Sequence, residues 1–192
     1  DGKFLGVLRN TFWWVLLVPI IATAIGLVYA VLVDRTRFEK AAKMLVFLPM
    51  AISMVGAGII WKFMYEYKAK GQSQIGLINQ ILVLFGIEPQ RFIQTPPGNT
   101  FALIVVMIWI QAGFAMTVLS ASIKAIPDEI IEAAKMDGVT GWKLFWNVTV
   151  PSVRPSMIVV ITTIAMATLK AFHIVYTMTG GNFDTPVIAS EI

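Results

Sequence analysis

Apolar residues in this chain gather into four long runs, at about residues 11–33, 44–64, 100–120 and 155–178, with polar stretches between them. Each run has about the 20 residues a helix needs to cross a hydrocarbon core. The pattern predicts an all-α fold: a polytopic membrane helical bundle, with the four spans in one domain over residues 1–192. Trp13, Trp14 and Tyr29 lie near the ends of the first run, where aromatic belts form. Pro49 marks a kink in the second, and Gly56 and Gly58 mark points of close packing.

The polar stretches orient the bundle. Residues 34–43 form a short loop carrying Arg35, Arg37, Lys40 and Lys43, which places it on the cytoplasmic side. By parity residues 66–99, with an amphipathic piece at 75–85, lie outside, and residues 121–154 return to the cytoplasm. Inside fall Arg35, Arg37, Lys40, Lys43, Lys124, Lys135, Lys143 and Arg154; outside fall Lys3, Arg9, Lys62, Lys68, Lys70 and Arg91. The density of charge in 34–43 sets the direction, because short loops weigh most.

Residues 126–151 are the most structured of the polar stretches. Pro127 suits the first position of a helix, and Asp128 and Glu129 place negative charge at its positive end. Gly138 ends that helix. A second short helix opens at Thr140, with Trp142, Phe145 and Trp146 on one face and Lys143 off it. Pattern alone reads this equally as a surface loop or as a protruding elbow.

Composition agrees with a membrane protein: 57% of residues are hydrophobic and 14% charged, and the mean hydropathy is +0.77. With no cysteine and one histidine there is neither a disulfide framework nor a zinc site. The net charge of +4 is scattered among apolar segments rather than gathered in a basic stripe, which argues against a nucleic-acid partner. No G-x-x-x-x-G-K-[ST] phosphate loop occurs. The sequence opens at Asp1 without a start methionine and closes at Ile192 in a loop-like stretch, so it is read as a fragment.

Glu132-Ala133-Ala134, Gly138 after three intervening residues, and Val148-Thr149-Val150-Pro151 after nine more resemble the EAA signature (E-A-A-x3-G-x9-I-x-L-P) of ABC-importer permeases, with valine at the Ile and Leu positions. The resemblance covers nearly the whole chain. Asn10-Thr11, Phe47-Leu48-Pro49, Leu84-Phe85-Gly86, Ala125-Ile126-Pro127 and Met178-Thr179-Gly180-Gly181 are similar to binding-protein-dependent sugar permeases of the maltose and α-glucoside type, which have a MetI-like transmembrane domain. Asn182-Phe183-Asp184 departs from the proline that often follows Gly-Gly there, which bears on the identity of the sugar.

The resemblance implies that the elbow is a coupling helix, with Glu132, Ala133, Ala134, Asp137 and Gly138 set against a cytoplasmic ATPase subunit. It implies a pair of such ATPases holding ATP and Mg, with no cofactor on this chain. The other implied partners are a second permease, an extracytoplasmic sugar-binding protein docking at 66–99 and 179–191, and the lipid bilayer. The expected location is a bacterial or archaeal cytoplasmic membrane, with a further span after Ile192 and at least one before Asp1.

Two helical faces mix polar with apolar or aromatic groups, as a sugar site requires. Thr163, Met166, Ala167 and Lys170 share one face of the fourth span, and Met107, Gln111 and Phe114 share one face of the third. The resemblance implies that both line the substrate pathway. Taken alone, Lys170 reads equally as a snorkelling interface residue and Gln111 as interhelical glue. Two other classes stand as alternatives. An ion-coupled secondary transporter would use Lys170 and His173 as a proton relay, although no acidic residue lies inside a span. An intramembrane enzyme would need paired carboxylates or an oriented histidine, and the spans supply neither.

Overall fold

The computed structural model describes residues 2–34, 36–69, 71–170, 172–180, 182 and 185. Arg35 and Lys70 of the basic tally lie outside these residues, as do Gly181, Phe183, Asp184 and residues 186–191 of the expected outer surface.

Helix α1 runs over Gly2–Val33 and α5 over Gly98–Lys124, so both apolar runs extend beyond their predicted limits. Along α1 Trp14, Val18, Ala22, Gly26 and Ala30 recur every fourth residue and form one buried face. That face lies on α5. Gly26 allows the backbones to meet, since a Cβ there would stand 2.6 Å from the Met116 amide nitrogen. α5 is the central helix: 67% of its apolar window is buried, against 39% for α1.

The second apolar run is not one straight span. It divides into α2 (Glu39–Phe47), a 3-10 turn at Leu48–Ala51, and α3 (Met54–Met64), with a bend of 103° between the two halves. Pro49 cannot donate a helical hydrogen bond, Ile52 turns extended, and Ser53 then caps α3 by accepting from the Gly56 amide at 3.0 Å. The bent pair still traverses the bundle as a unit. Glu39 meets Lys124 at one end of α5, the Gly113 Cα faces the Val46 carbonyl partway along, and the Tyr65 hydroxyl donates to the Ala102 carbonyl at the other end. At ~1.5 Å per residue these contacts cover roughly 33 Å of α5, enough to cross a bilayer core. With the bent pair counted as one, the described residues hold up to four crossings.

Between α3 and α5, α4 (Leu77–Leu84) organises the long excursion through one side chain. Asn79 is fully buried; its amide donates to the Glu66 and Gln90 carbonyls at 2.9 and 3.1 Å and accepts from the Gln90 N–H at 2.8 Å. Every polar valence used there replaces a lost bond to water. An aromatic series, Trp109, Trp61, Tyr65 and Phe92, pins α3 and the segment that follows it to α5 with successive ring centroids 5.3–5.6 Å apart.

The fourth run also differs from expectation. After the elbow helix α6 (Asp128–Met136), the chain forms α7 (Gly141–Leu144), a π turn (Phe145–Thr149) and α8 (Val150–Thr168), which together make one 28-residue rod. The second short helix predicted at Thr140 is therefore the first turn of the membrane helix. That rod stops at Thr168 rather than near Met178: the Lys170 N–H closes back on the Ala167 carbonyl at 3.1 Å, and α9 (Phe172–Thr179) starts anew. α9 packs on α3, where a Cβ on Gly58 would lie 3.1 Å from the Thr177 side chain.

Candidate functional site

The elbow is built on a left-handed helix cap. α6 starts at Asp128, one position later than the sequence suggests, with Pro127 extended (ψ 136°) as the residue just before it. At its other end Gly138 sits at φ +76°. The Gly138 N–H donates to the Lys135 carbonyl at 3.0 Å and the Val139 N–H to the Ala134 carbonyl at 2.9 Å, which satisfies two carbonyls of the last turn of the helix. A side chain at residue 138 would resist that conformation.

α6 buries no residue of its own. Glu132, Ala133, Asp137 and Gly138 are exposed, and Ala134 is half-buried. The helix is tethered through Ile126, buried at its base, and through Ile131, which packs against the core. Ile130 and Met136 stand in solvent, Met136 at 89% exposure. Beyond the cap, Trp142, Phe145 and Trp146 form the aromatic cluster expected from their spacing, with centroids 5.0–6.5 Å apart. The π turn that follows has a local cause. Pro151, at the start of α8, offers no N–H to the preceding turn, so that turn widens.

Beside the elbow a charged cluster, not anticipated as a unit, ties the ends of α1, α2 and α5. Lys43 Nζ contacts Asp34 Oδ1 at 2.5 Å and Glu39 Oε1 at 2.7 Å, and also donates to the Ser120 hydroxyl. Ser120 donates to Asp34 Oδ1 at 2.7 Å, and Lys124 pairs with Glu39. The only sequence signal was the four-residue spacing of Glu39 and Lys43.

The two proposed pathway faces are placed differently. On α5, Met107 is fully buried in the core, while Gln111 and Phe114 are half-buried at its margin. On α8, Val153, Val160, Ile164 and Thr168 face the bundle, so Thr163 and Ala167 lie on its flank and Met166 points away at 56% exposure. The Thr163 hydroxyl donates to its own helix at the Val159 carbonyl, 2.8 Å. Lys170 is exposed in the turn beyond α8. Neither the outer cleft of about 620 Å³ lined by Lys62, Tyr65, Glu66, Arg91, Phe92 and Tyr176, nor a groove of about 500 Å³ between α2 and α5, includes any of these residues. Only 17% of the apolar window of the α8 rod is buried, so most of that surface is unpartnered among the described residues.

A bundle of long apolar helices around one central span, with a polar elbow projecting between two of them, defines a multi-pass membrane protein. The chain belongs to the family of binding-protein-dependent transport system inner membrane components, whose family model matches residues 3–192. It is 49% identical over 190 residues to the alpha-glucoside transport system permease protein AglF of Rhizobium meliloti, covering 99% of this chain and 56% of that protein. It is 48% identical over 190 residues to the osmoprotective compounds uptake permease protein GgtC of Synechocystis sp., covering 99% of this chain and 68% of that protein. The fold is shared with a bacterial alginate ABC transporter solved with an alginate pentasaccharide-bound periplasmic protein: the TM-score is 0.83 at 24% identity, covering 100% of this chain and 66% of that one. The chain thus spans about half to two thirds of the length of these relatives. Nothing in the fold or the relatives favours the ion-coupled alternative built on Lys170 and His173.

Proposed function

We propose that this chain is a permease subunit of an ATP-driven importer, forming half of the pathway for a sugar of the oligosaccharide or α-glucoside class and hydrolysing no ATP itself. The observation that carries the reading is α6: a helix with no buried residue, closed by a left-handed glycine cap and held at both ends by membrane helices. Apart from the contact of Ile131 with the core, such an element gains little from the described residues, and its exposed Glu132, Ala133 and Asp137 suit a groove in a separate cytoplasmic ATPase. The family membership and the names of the relatives point the same way.

In this reading ATP-driven closure of the ATPase pair displaces α6. The displacement reaches α5 through buried Ile126 and reaches α8 through the rod that begins at Gly141. The flank of α8 with Thr163, Met166 and Ala167, and Lys170 in the turn beyond it, faces a second permease, and together with Met107, Gln111 and Phe114 of α5 it opens alternately to each side. Sugar arrives from an extracytoplasmic binding protein.

The test is to purify the full-length protein from native membranes, identify its copurifying subunits and assay sugar-stimulated ATP hydrolysis, in the native form and as Glu132→Lys. The native chain brings down an ATPase and a second permease. Glu132→Lys inserts normally but loses the ATPase or its coupling, because a reversed charge sits at the contact. Normal transport by that variant would sink the assignment.

A further inference from the structure

The groove between α2 and α5 has a polarity of its own. Its register is fixed by contacts in order along two antiparallel helices: Glu39 with Lys124, Lys43 with Ser120, and Val46 with Gly113. The groove holds about 500 Å³. At the end nearest the basic loop it is lined by Lys40, Lys43 and Lys124; deeper along the same helices its walls are Met44, Phe47 and Met116. Met44 is 66% exposed and Phe47 43% exposed, on segments apolar enough to lie in a membrane. Charge is thus confined to the cytoplasmic end and apolar surface to the bilayer end.

The electrostatics leave one cation over. Lys43 and Lys124 are engaged by the carboxylates of Asp34 and Glu39, whereas Lys40, on the same rim, pairs with no carboxylate among the described residues. A surplus positive charge above an apolar trough at the inner surface of a membrane complements one molecule in particular: an amphiphile with an anionic head and a hydrocarbon tail. Neutral lipid would fill the trough and leave Lys40 unmatched; a small soluble anion would match Lys40 and leave the trough unfilled.

We infer that this groove binds an anionic glycerophospholipid of the inner leaflet, with the phosphate against Lys40 and the rim formed by Lys43 and Lys124, and one acyl chain along the exposed Met44 and Phe47. The bound lipid lies across the seam that joins α2 to α5, next to the cluster tying both to α1. Its lining shares no residue with the pathway faces or with α6.

The experiment uses the full transporter complex in neutral detergent, titrated by native mass spectrometry with phosphatidylglycerol and with phosphatidylcholine of identical acyl chains. Phosphatidylglycerol binds more tightly by about fivefold, the worth of one lysine at an anionic surface. Lys40→Glu abolishes that preference, and Lys40→Gln reduces it. Both side chains stay exposed, so the fold is untouched. Phe47→Asn weakens both lipids alike. Equal binding of the two lipids, an unchanged preference in Lys40→Glu, or retention of neither lipid overturns the proposal. So does full displacement of phosphatidylglycerol by tail-free glycerol phosphate, which would mark a soluble-anion site instead.

Discussion

The backbone N–H of Val139 donates to the carbonyl of Ala134 at 2.9 Å, across a glycine held at φ +76°. The spacing of the elbow signature follows from that bond. Ala134 stands in the last turn of α6, and the residue in the left-handed position must come four places later for the cap to close. Replacing Gly138 with alanine forces a Cβ into that conformation at a cost of about 1–2 kcal/mol. Gly138→Ala is expected to insert and assemble but to lose sugar-stimulated ATP hydrolysis severalfold, with Gly138→Asn intermediate because asparagine tolerates the left-handed region better. Native activity in both variants would show that the cap does not matter for coupling.

The α1–α5 seam predicts a stability effect with an internal control. Gly26→Val drives side-chain atoms into the Met116 backbone, where a Cβ alone would stand at 2.6 Å, and should destabilise by about 1–3 kcal/mol. Gly6→Val, on the same helix with nothing within 4 Å of its would-be Cβ, should leave the thermal unfolding midpoint in detergent nearly unchanged.

The charged cluster predicts strong coupling between two positions. Lys43→Ala leaves the Asp34 carboxylate, 6% exposed as a side chain, without its ammonium; the Lys43 side chain is itself 23% exposed, so solvent reduces the full buried-charge penalty to about 2 kcal/mol. Asp34→Asn combined with Lys43→Gln should recover more than half of that loss in a double-mutant cycle read by thermal unfolding. Lys124→Ala, with a side chain 44% exposed, should cost less than about 1 kcal/mol.

The proposed pathway predicts a separation of effects. Lys170→Ala and Gln111→Ala should each change the half-saturating sugar concentration for transport while copurification with the ATPase persists. Loss of assembly in either variant would make the residue structural.

The apolar runs were legible because hydropathy over about 20 residues needs no tertiary information. The 103° bend was legible only in part: Pro49 marks where the helix must open, but the angle depends on Ser53 capping a new helix four residues later. Nothing in the Leu169-Lys170 stretch announces the end of α8, and the π turn that fuses α7 to α8 shows in sequence only as Pro151. The elbow cap was visible as a glycine. The cluster of Asp34, Lys43 and Ser120 was not, since it depends on groups 77 and 86 residues apart meeting at the end of a packed seam.

The continuous rod from Gly141 to Thr168 turns chain length into rotation. Between Gly141 and Val148 every residue added to the helix would turn whatever precedes it by about 100°. An insertion just after Trp146 would leave the elbow helix, its cap and the spans each intact, yet swing the Trp142 and Trp146 rings to a different side of the axis. The nine-residue interval in the signature is therefore a phase setting: it fixes the compass bearing at which the elbow leaves the membrane.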